Sequence, residues 1–103
     1  MSIFSIFGNS RSNEKVNELY SNGAITLDVR SQAEFNYGHV EGSTNIPLNE
    51  IQNKLGEIKK WNKSVIACCR SGNRSGMAEG FLKQNGIDCL NGGSWQEVKA
   101  AIS

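Results

Sequence analysis

Cys69 begins the run Cys69-Arg70-Ser71-Gly72-Asn73-Arg74-Ser75, which follows the apolar stretch Val65-Ile66-Ala67-Cys68 and leads into Met77-Ala78-Glu79-Gly80-Phe81-Leu82. A thiol, a glycine and two arginines, placed where a strand should end and a helix should start, can wrap backbone N–H groups around one small anion. Such a setting favours the thiolate, because the positive end of the helix dipole and the guanidinium groups stabilise charged sulfur. Comparable surroundings lower a free cysteine's pKa from about 8.5 into the range of about 3.5 to 7.5. The chemistry expected of Cys69 is nucleophilic attack by a pre-ionised sulfur, with no general base needed. Arg70, Ser71, Gly72, Asn73 and Arg74 are the expected binding groups around it. Cys68 and Cys89 read as small buried hydrophobes, the common fate of a free cysteine.

The rest of the composition bounds where such chemistry operates. A chain of 103 residues makes one domain with one core. Eleven basic and ten acidic residues leave a formal charge of +1, so neither nucleic acid nor an anionic membrane surface is expected as a partner. Three cysteines, two of them adjacent, do not form a secreted disulfide framework, and a reducing, cytoplasmic setting is expected. The apolar Met1 to Gly8 lacks a basic n-region, a long apolar centre and an Ala-x-Ala-like site, so it does not read as a signal peptide. No run approaches the roughly 20 apolar residues of a membrane span.

Periodicity alternates between strand and helix along the chain, which reads as α/β. Val16, Leu19 and Tyr20 have helical spacing and stop at Asn22-Gly23. Ala24 to Val29 reads as a strand with Ile25, Leu27 and Val29 on one face. Ser31-Gln32-Ala33-Glu34 fits a capping box, opening a short helix to about Tyr37. Gly38 and Gly42 bracket a turn before a brief strand, Thr44 to Ile46, which Pro47 ends. Leu48, Ile51, Leu55 and Ile58 lie on one helical stripe. A buried strand over Ser64 to Cys68 makes Cys69 the first residue free to face outward, and a helix runs from about Arg74 to Asn85. Asp88 to Leu90 is the last strand, and Asn91-Gly92-Gly93 turns the chain into a second capping box, Ser94 to Glu97. Trp95, Val98 and Ile102 form the buried face of the final helix. Residues 1–11 are set apart as a tail or, over Ile3 to Phe7, an edge strand; residues 12–103 form the domain.

Strands joined through helices imply a mostly parallel sheet, whose ligands bind beyond the carboxyl ends of the strands. Asp28 to Arg30, Cys69 and Gly92-Gly93 all follow expected strand ends, so they should share one rim. Asp28 and Arg30 could line the entrance or form a structural ion pair, and Trp95 could shape the pocket wall. His39 tempts as a base, but its Gly-His-Val-x-Gly setting reads as a ring nitrogen anchoring a turn.

These pieces resemble the single-domain members of the rhodanese family of sulfurtransferases. Leu27-Asp28-Val29-Arg30 with Glu34-Phe35 resembles the family's Asp-x-Arg segment. Gly38 to Ser43 with Asn45-Ile46-Pro47 resembles its Gly-His-Ile-x-Gly-Ala and Asn-Ile-Pro segments. Cys69 to Ser75 resembles its active-site loop, and Gly92-Gly93 with Trp95 its closing segment, so the likeness covers about residues 24–97. The resemblance implies a three-layer α/β/α domain with a mostly parallel four- or five-stranded sheet. It also implies that Cys69 takes sulfane sulfur from a small anionic donor or a protein persulfide. The sulfur is held as a persulfide and passed to cyanide, a thiol or a protein acceptor, with no cofactor and no metal. A basic residue after the cysteine goes with thiosulfate in that family, and Arg70 occupies the position. A monomer or weak dimer is expected.

Two other readings compete. Cys68 to Arg74 also spells Cys-x5-Arg, the spacing of cysteine phosphatases and arsenate reductases, though no evident carboxylate serves a leaving group. Alternatively, the domain is a non-catalytic interaction module, which the intact Cys69 and both arginines argue against. A zinc site is not expected, because adjacent cysteines chelate poorly and no Cys-x2-Cys pair stands beside the single histidine.

Overall fold

The computed structural model describes the backbone of residues 7–103 and the side chains from residue 13. Helix α1 (Phe7–Ser21) precedes strand β1 (Ile25–Asp28), helix α2 (Gln32–Tyr37), the short strand β2 (Thr44–Asn45) and a 3-10 turn (Leu48–Glu50). Helix α3 (Leu55–Trp61), strand β3 (Val65–Cys69), helix α4 (Asn73–Gln84), strand β4 (Cys89–Ser94) and helix α5 (Trp95–Ile102) complete the chain. Four strands pair in the order β2-β1-β3-β4, all parallel. α1 starts within the segment set apart as a tail. Of the edge-strand option over Ile3 to Phe7, only Phe7 is described, and it is helical; the rest lies outside the described residues.

The period-2 alternation of β1 and β3 divides the core into two layers. Leu27, Val29, Val65, Ala67 and Cys69 point to one side, where Ile51, Ile58, Ala78 and Leu82 from the 51–58 segment and α4 meet them. Ile66 and Cys68 point to the other, against Val16 of α1 and Val98 of α5. The adjacent cysteines therefore face opposite sides of the sheet. Both capping boxes form: Ser31 Oγ accepts from Glu34 N at 3.2 Å, Ser94 Oγ accepts from Glu97 N at 3.1 Å, and each glutamate reaches back to its cap N–H. Each cap contributes about 1 kcal/mol, and the second starts α5 directly from the last strand residue.

Two segments differ from the expectation. Leu48 to Ile58 is not one helix: Glu50 N donates to Pro47 O and Ile51 N to Leu48 O, a three-residue repeat, and the α-helix starts only at Leu55. Leu48 and Ile51 are three apart, so the tighter turn keeps both against the core equally well. Asn91-Gly92-Gly93 is not a turn but the middle of β4, which runs on to pair Ser94 with Cys69. Gly92 is the extra residue of a bulge, since Ala67 pairs with Asn91 and Cys68 with Gly93. A Cβ on Gly92 would lie 2.6 Å from Val98 Cγ2 and 2.9 Å from Ile66 Cγ2, so only glycine fits between sheet and α5. The extension of β4 also lengthens β3 to Cys69.

Candidate active site

The loop from Arg70 to Gly72 carries the chain from the end of β3 into α4. Gly72 occupies the N-cap position with φ +98°, a left-handed conformation that glycine adopts without cost, and no cap side chain bonds the first turn. Cys69 Sγ does so instead. It accepts from Gly72 N at 3.0 Å, from Ser75 N at 3.4 Å, and lies 3.3 Å from Ser75 Oγ. Two of the N–H groups that this helix start leaves without an intrahelical partner, those of Gly72 and Ser75, are thus turned onto one sulfur.

The structure places Cys69 inside the protein rather than on an open rim: it is the last paired residue of β3, and its exposure is 0%. Burial pushes its thiol pKa up, but the Ser75 hydroxyl and the N–H groups of Ser75, Gly72 and Ser71 together outweigh it, and the net direction is down. Cys68 and Cys89 are also buried but have no such donor set. Burial pushes each up to about 12, with Asp28 adding to the rise at Cys68 and Glu79 at Cys89. All three cysteines are free and buried, so ionisation rather than exposure separates them. At neutral pH, Cys69 should therefore alkylate far faster than Cys68 and Cys89. Because its folded pKa is depressed, the iodoacetamide rate at Cys69 should reach half its plateau at a pH below the ordinary thiol value of about 8.5. Peptide mass mapping across a pH series measures this, and an inflection at or above the ordinary value would contradict the cradle.

The two arginines part company. Arg70 is exposed at the loop surface. Arg74 grips Glu34 of α2 with both nitrogens, Nη1 to Oε1 at 2.8 Å and Nη2 to Oε2 at 3.0 Å. The Arg74 guanidinium, then the Ser31 N–H, pulls the Glu34 carboxyl down to about 2. Glu34 thus caps α2 and ties it to the first turn of α4. Ser71 is exposed, and Asn73 is exposed as the first residue of α4.

Asp28 and Arg30 form a buried pair, their side chains 0% and 5% exposed. Arg30 Nη2 donates to Asp28 Oδ2 at 2.7 Å and to the Gly38 carbonyl at 2.7 Å, and the guanidinium lies 5.2 Å from the Trp95 ring centroid. The three residues brace the α2–β2 connection against the start of α5. His39 Nδ1 is 2.7 Å from the Phe35 carbonyl, and its ring stacks on Phe35 at 3.7 Å. Cys68, on the far face, has no contact with the cradle's donors.

Ser75, Asn91 and Glu34 were not among the expected site residues. Ser75 is wholly buried and shares the inner stripe of α4 with Ala78 and Leu82, a spacing of three and four that the sequence does show. Nothing local marks Asn91 or the partnership of Glu34 with a residue 40 positions away.

A parallel α/β sheet with a helix start turned onto a strand-end cysteine sulfur defines a class, and comparison with known proteins supplies its family. The family model for the rhodanese-like domain matches residues 12–101, and the chain belongs to that family. It is 33% identical over 74 residues to the thiosulfate sulfurtransferase PspE of Escherichia coli, covering 70% of this chain and 71% of that one. It is 40% identical over 63 residues to YqhL of Bacillus subtilis, an uncharacterized protein, covering 61% of this chain and 49% of YqhL. The chain thus spans about half the length of that relative. Among solved structures, a rhodanese with anions from E. coli superposes with a TM-score of 0.66 at 28% identity, covering 73% of this chain and 91% of that one. Among the described residues no helix is long and apolar enough to cross a membrane.

Proposed function

We propose that the protein moves a sulfane sulfur from thiosulfate, or from a protein persulfide, to a thiophilic acceptor through a persulfide on Cys69. The observation that carries this reading is the convergence of Gly72 N, Ser75 N and Ser75 Oγ on Cys69 Sγ. In the first half-reaction the thiolate attacks the outer sulfur of thiosulfate. The sulfur–sulfur bond breaks, sulfite leaves with the electron pair, and the negative charge ends on the terminal sulfur of Cys69. In the second, cyanide or a thiolate attacks that terminal sulfur and the Cys69 thiolate is regenerated, which gives ping-pong kinetics. Charge remains within the loop's field throughout, where loss of one donor costs on the order of a hundred-fold in rate. PspE, named a thiosulfate sulfurtransferase, supports the choice of donor.

The test is intact mass after incubation with thiosulfate: a gain of one sulfur atom, removed by cyanide with release of thiocyanate. No gain at any thiosulfate concentration would turn the reading toward an interaction module.

The arginines should separate by donor. Arg70 is exposed beside the buried sulfur, so its charge meets the sulfonate end of thiosulfate as it arrives. Arg70→Ala should lower kcat/KM for thiosulfate by about ten-fold, equivalent to ~1.4 kcal/mol, and should lower sulfur uptake from a protein persulfide, which carries no sulfonate, by less. Arg74→Ala should lower both, because it releases α2 from α4. Steady-state kinetics with the two donors measures this, and equal losses for both variants would remove the division of roles.

A further inference from the structure

The Ser75 hydroxyl stands between two neighbours and has one proton to share. Its oxygen is 3.3 Å from Cys69 Sγ and 2.7 Å from Asn91 Oδ1. The Asn91 amide can face only one way. Gly93 N–H donates to Oδ1 at 3.0 Å, so that atom accepts, and Nδ2 donates to the Gly72 carbonyl at 3.0 Å. Oδ1 has nothing to donate and can only receive the proton of Ser75.

Two arrangements follow from this inventory. With Cys69 as a thiol, the S–H donates to Ser75 Oγ and the Ser75 O–H donates to Asn91 Oδ1, so every proton has an acceptor. When the thiol proton leaves to solvent, sulfur becomes an acceptor only. The Ser75 hydroxyl then turns from Oδ1 to sulfur, while Oδ1 keeps the Gly93 N–H. Asn91 and the thiolate therefore compete for one proton, and the same asparagine holds the carbonyl of Gly72, whose own N–H is another donor to the sulfur.

We propose that Asn91 is a positioning residue that sets the ionisation of Cys69 through Ser75, the hydroxyl acting as a two-position rotor between the amide oxygen and the sulfur. The charged and titratable groups around this relay are Arg70 in the loop, Arg74 and Glu79 on α4, and Glu97 on α5, whose carboxylate packs against Gly93 and accepts from Ser94 N. Arg74 is held by Glu34 on α2, and Glu79 accepts from the Asn91 backbone N–H at 3.0 Å and pairs with Lys83. Asp28, Arg30 and Cys68 lie on the opposite face of the sheet, and Cys89 on β4. The variants below leave all of these in place. The inference concerns the thiolate itself and goes beyond the proposed sulfur transfer, which the mass gain with thiosulfate tests separately on the same variants.

The experiment is the pH dependence of iodoacetamide labelling at Cys69, read by peptide mass on the full chain, for wild type, Ser75→Ala, Asn91→Leu, Asn91→Asp and the double variant Ser75→Ala/Asn91→Leu. Ser75→Ala should move the inflection up, since the thiolate loses a donor. Asn91→Leu removes the competing acceptor and should move it down. Asn91→Asp, a stronger acceptor, should move it up. The Ser75→Ala and Asn91→Leu shifts should each be about half to one pH unit, the size of one neutral hydrogen bond, and the Asn91→Asp shift larger, because it adds a negative charge as well. In the Ser75→Ala background, Asn91→Leu should have no downward effect. A merely structural role would send Leu and Asp in the same direction, and that result, or an Asn91→Leu shift that persists without Ser75, overturns the proposal. If Asn91→Leu does not melt cooperatively, Asn91→Ala replaces it with the same expected sign.

Discussion

Cys69→Ser should lose sulfur loading and sulfur transfer by at least about a thousand-fold, as expected when the nucleophile itself is removed, while Cys68→Ser keeps most of both. The two thiols are neighbours in sequence but lie on opposite faces of β3, so the loop's donors reach only one of them. Cys68 packs with Val16 and Val98, and burial holds its thiol at about 12, which leaves almost no thiolate at neutral pH. A serine hydroxyl in the cradle would accept the same N–H groups, so the fold should survive and the loss should be chemical. Intact mass after thiosulfate treatment and thiocyanate release, on both variants with matched melting curves, measure this. Activity retained in Cys69→Ser and lost in Cys68→Ser would favour the Cys-x5-Arg register, and hydrolysis of an aryl phosphate would then be the assay to run.

The second large effect is on stability. Asp28→Ala should destabilise the fold by about 3–5 kcal/mol, the usual consequence of leaving one member of a buried ion pair uncompensated. Arg30 then has its remaining hydrogen bonds only to the Glu34 and Gly38 carbonyls. For a domain of this size that loss corresponds to a fall in melting temperature of more than about 10 °C. Asp28→Leu combined with Arg30→Met should lose less than Asp28→Ala alone, because an apolar pair carries no desolvated charge. Thiosulfate loading per folded molecule should be nearly unchanged in Asp28→Ala, since neither residue touches Cys69 Sγ. Thermal melts followed by circular dichroism measure the first effect. A melting temperature within a few degrees of wild type would mean that water reaches the pair.

The contrast between these two predictions reflects how the residues announce themselves. Cys69 stands out in the sequence because thiol, glycine and helix start fall within seven residues, and the helix does begin there, at Asn73. Both capping boxes were equally legible, since a serine and a glutamate three positions apart can satisfy only each other's N–H groups at a helix start. The alternation of short apolar runs with helical stripes was enough for a parallel α/β sheet. Where two periods fitted the same residues, as in Leu48 to Ile58, the pattern did not choose between them, and the core accepted the tighter turn.

What the chain determined by itself, then, is local: the element order, the helix starts, and a short loop between the cysteine and the helix that follows it. Pairings between distant residues were left to the tertiary structure. Arg74 reads as an anion ligand until α2 brings Glu34 within 2.8 Å of it. Asn91-Gly92-Gly93 reads as a turn until α5 closes over the sheet so tightly that a bulge with a bare glycine is the only fit. Ser75 gains its second hydrogen-bond partner because β4 pairs Asn91 with Ala67 of β3 and so sets it beside α4. The physical reason is common to all three. A hydrogen bond or ion pair between residues far apart in the chain depends on the packing that brings them together, and a linear pattern carries the residues but not their distance.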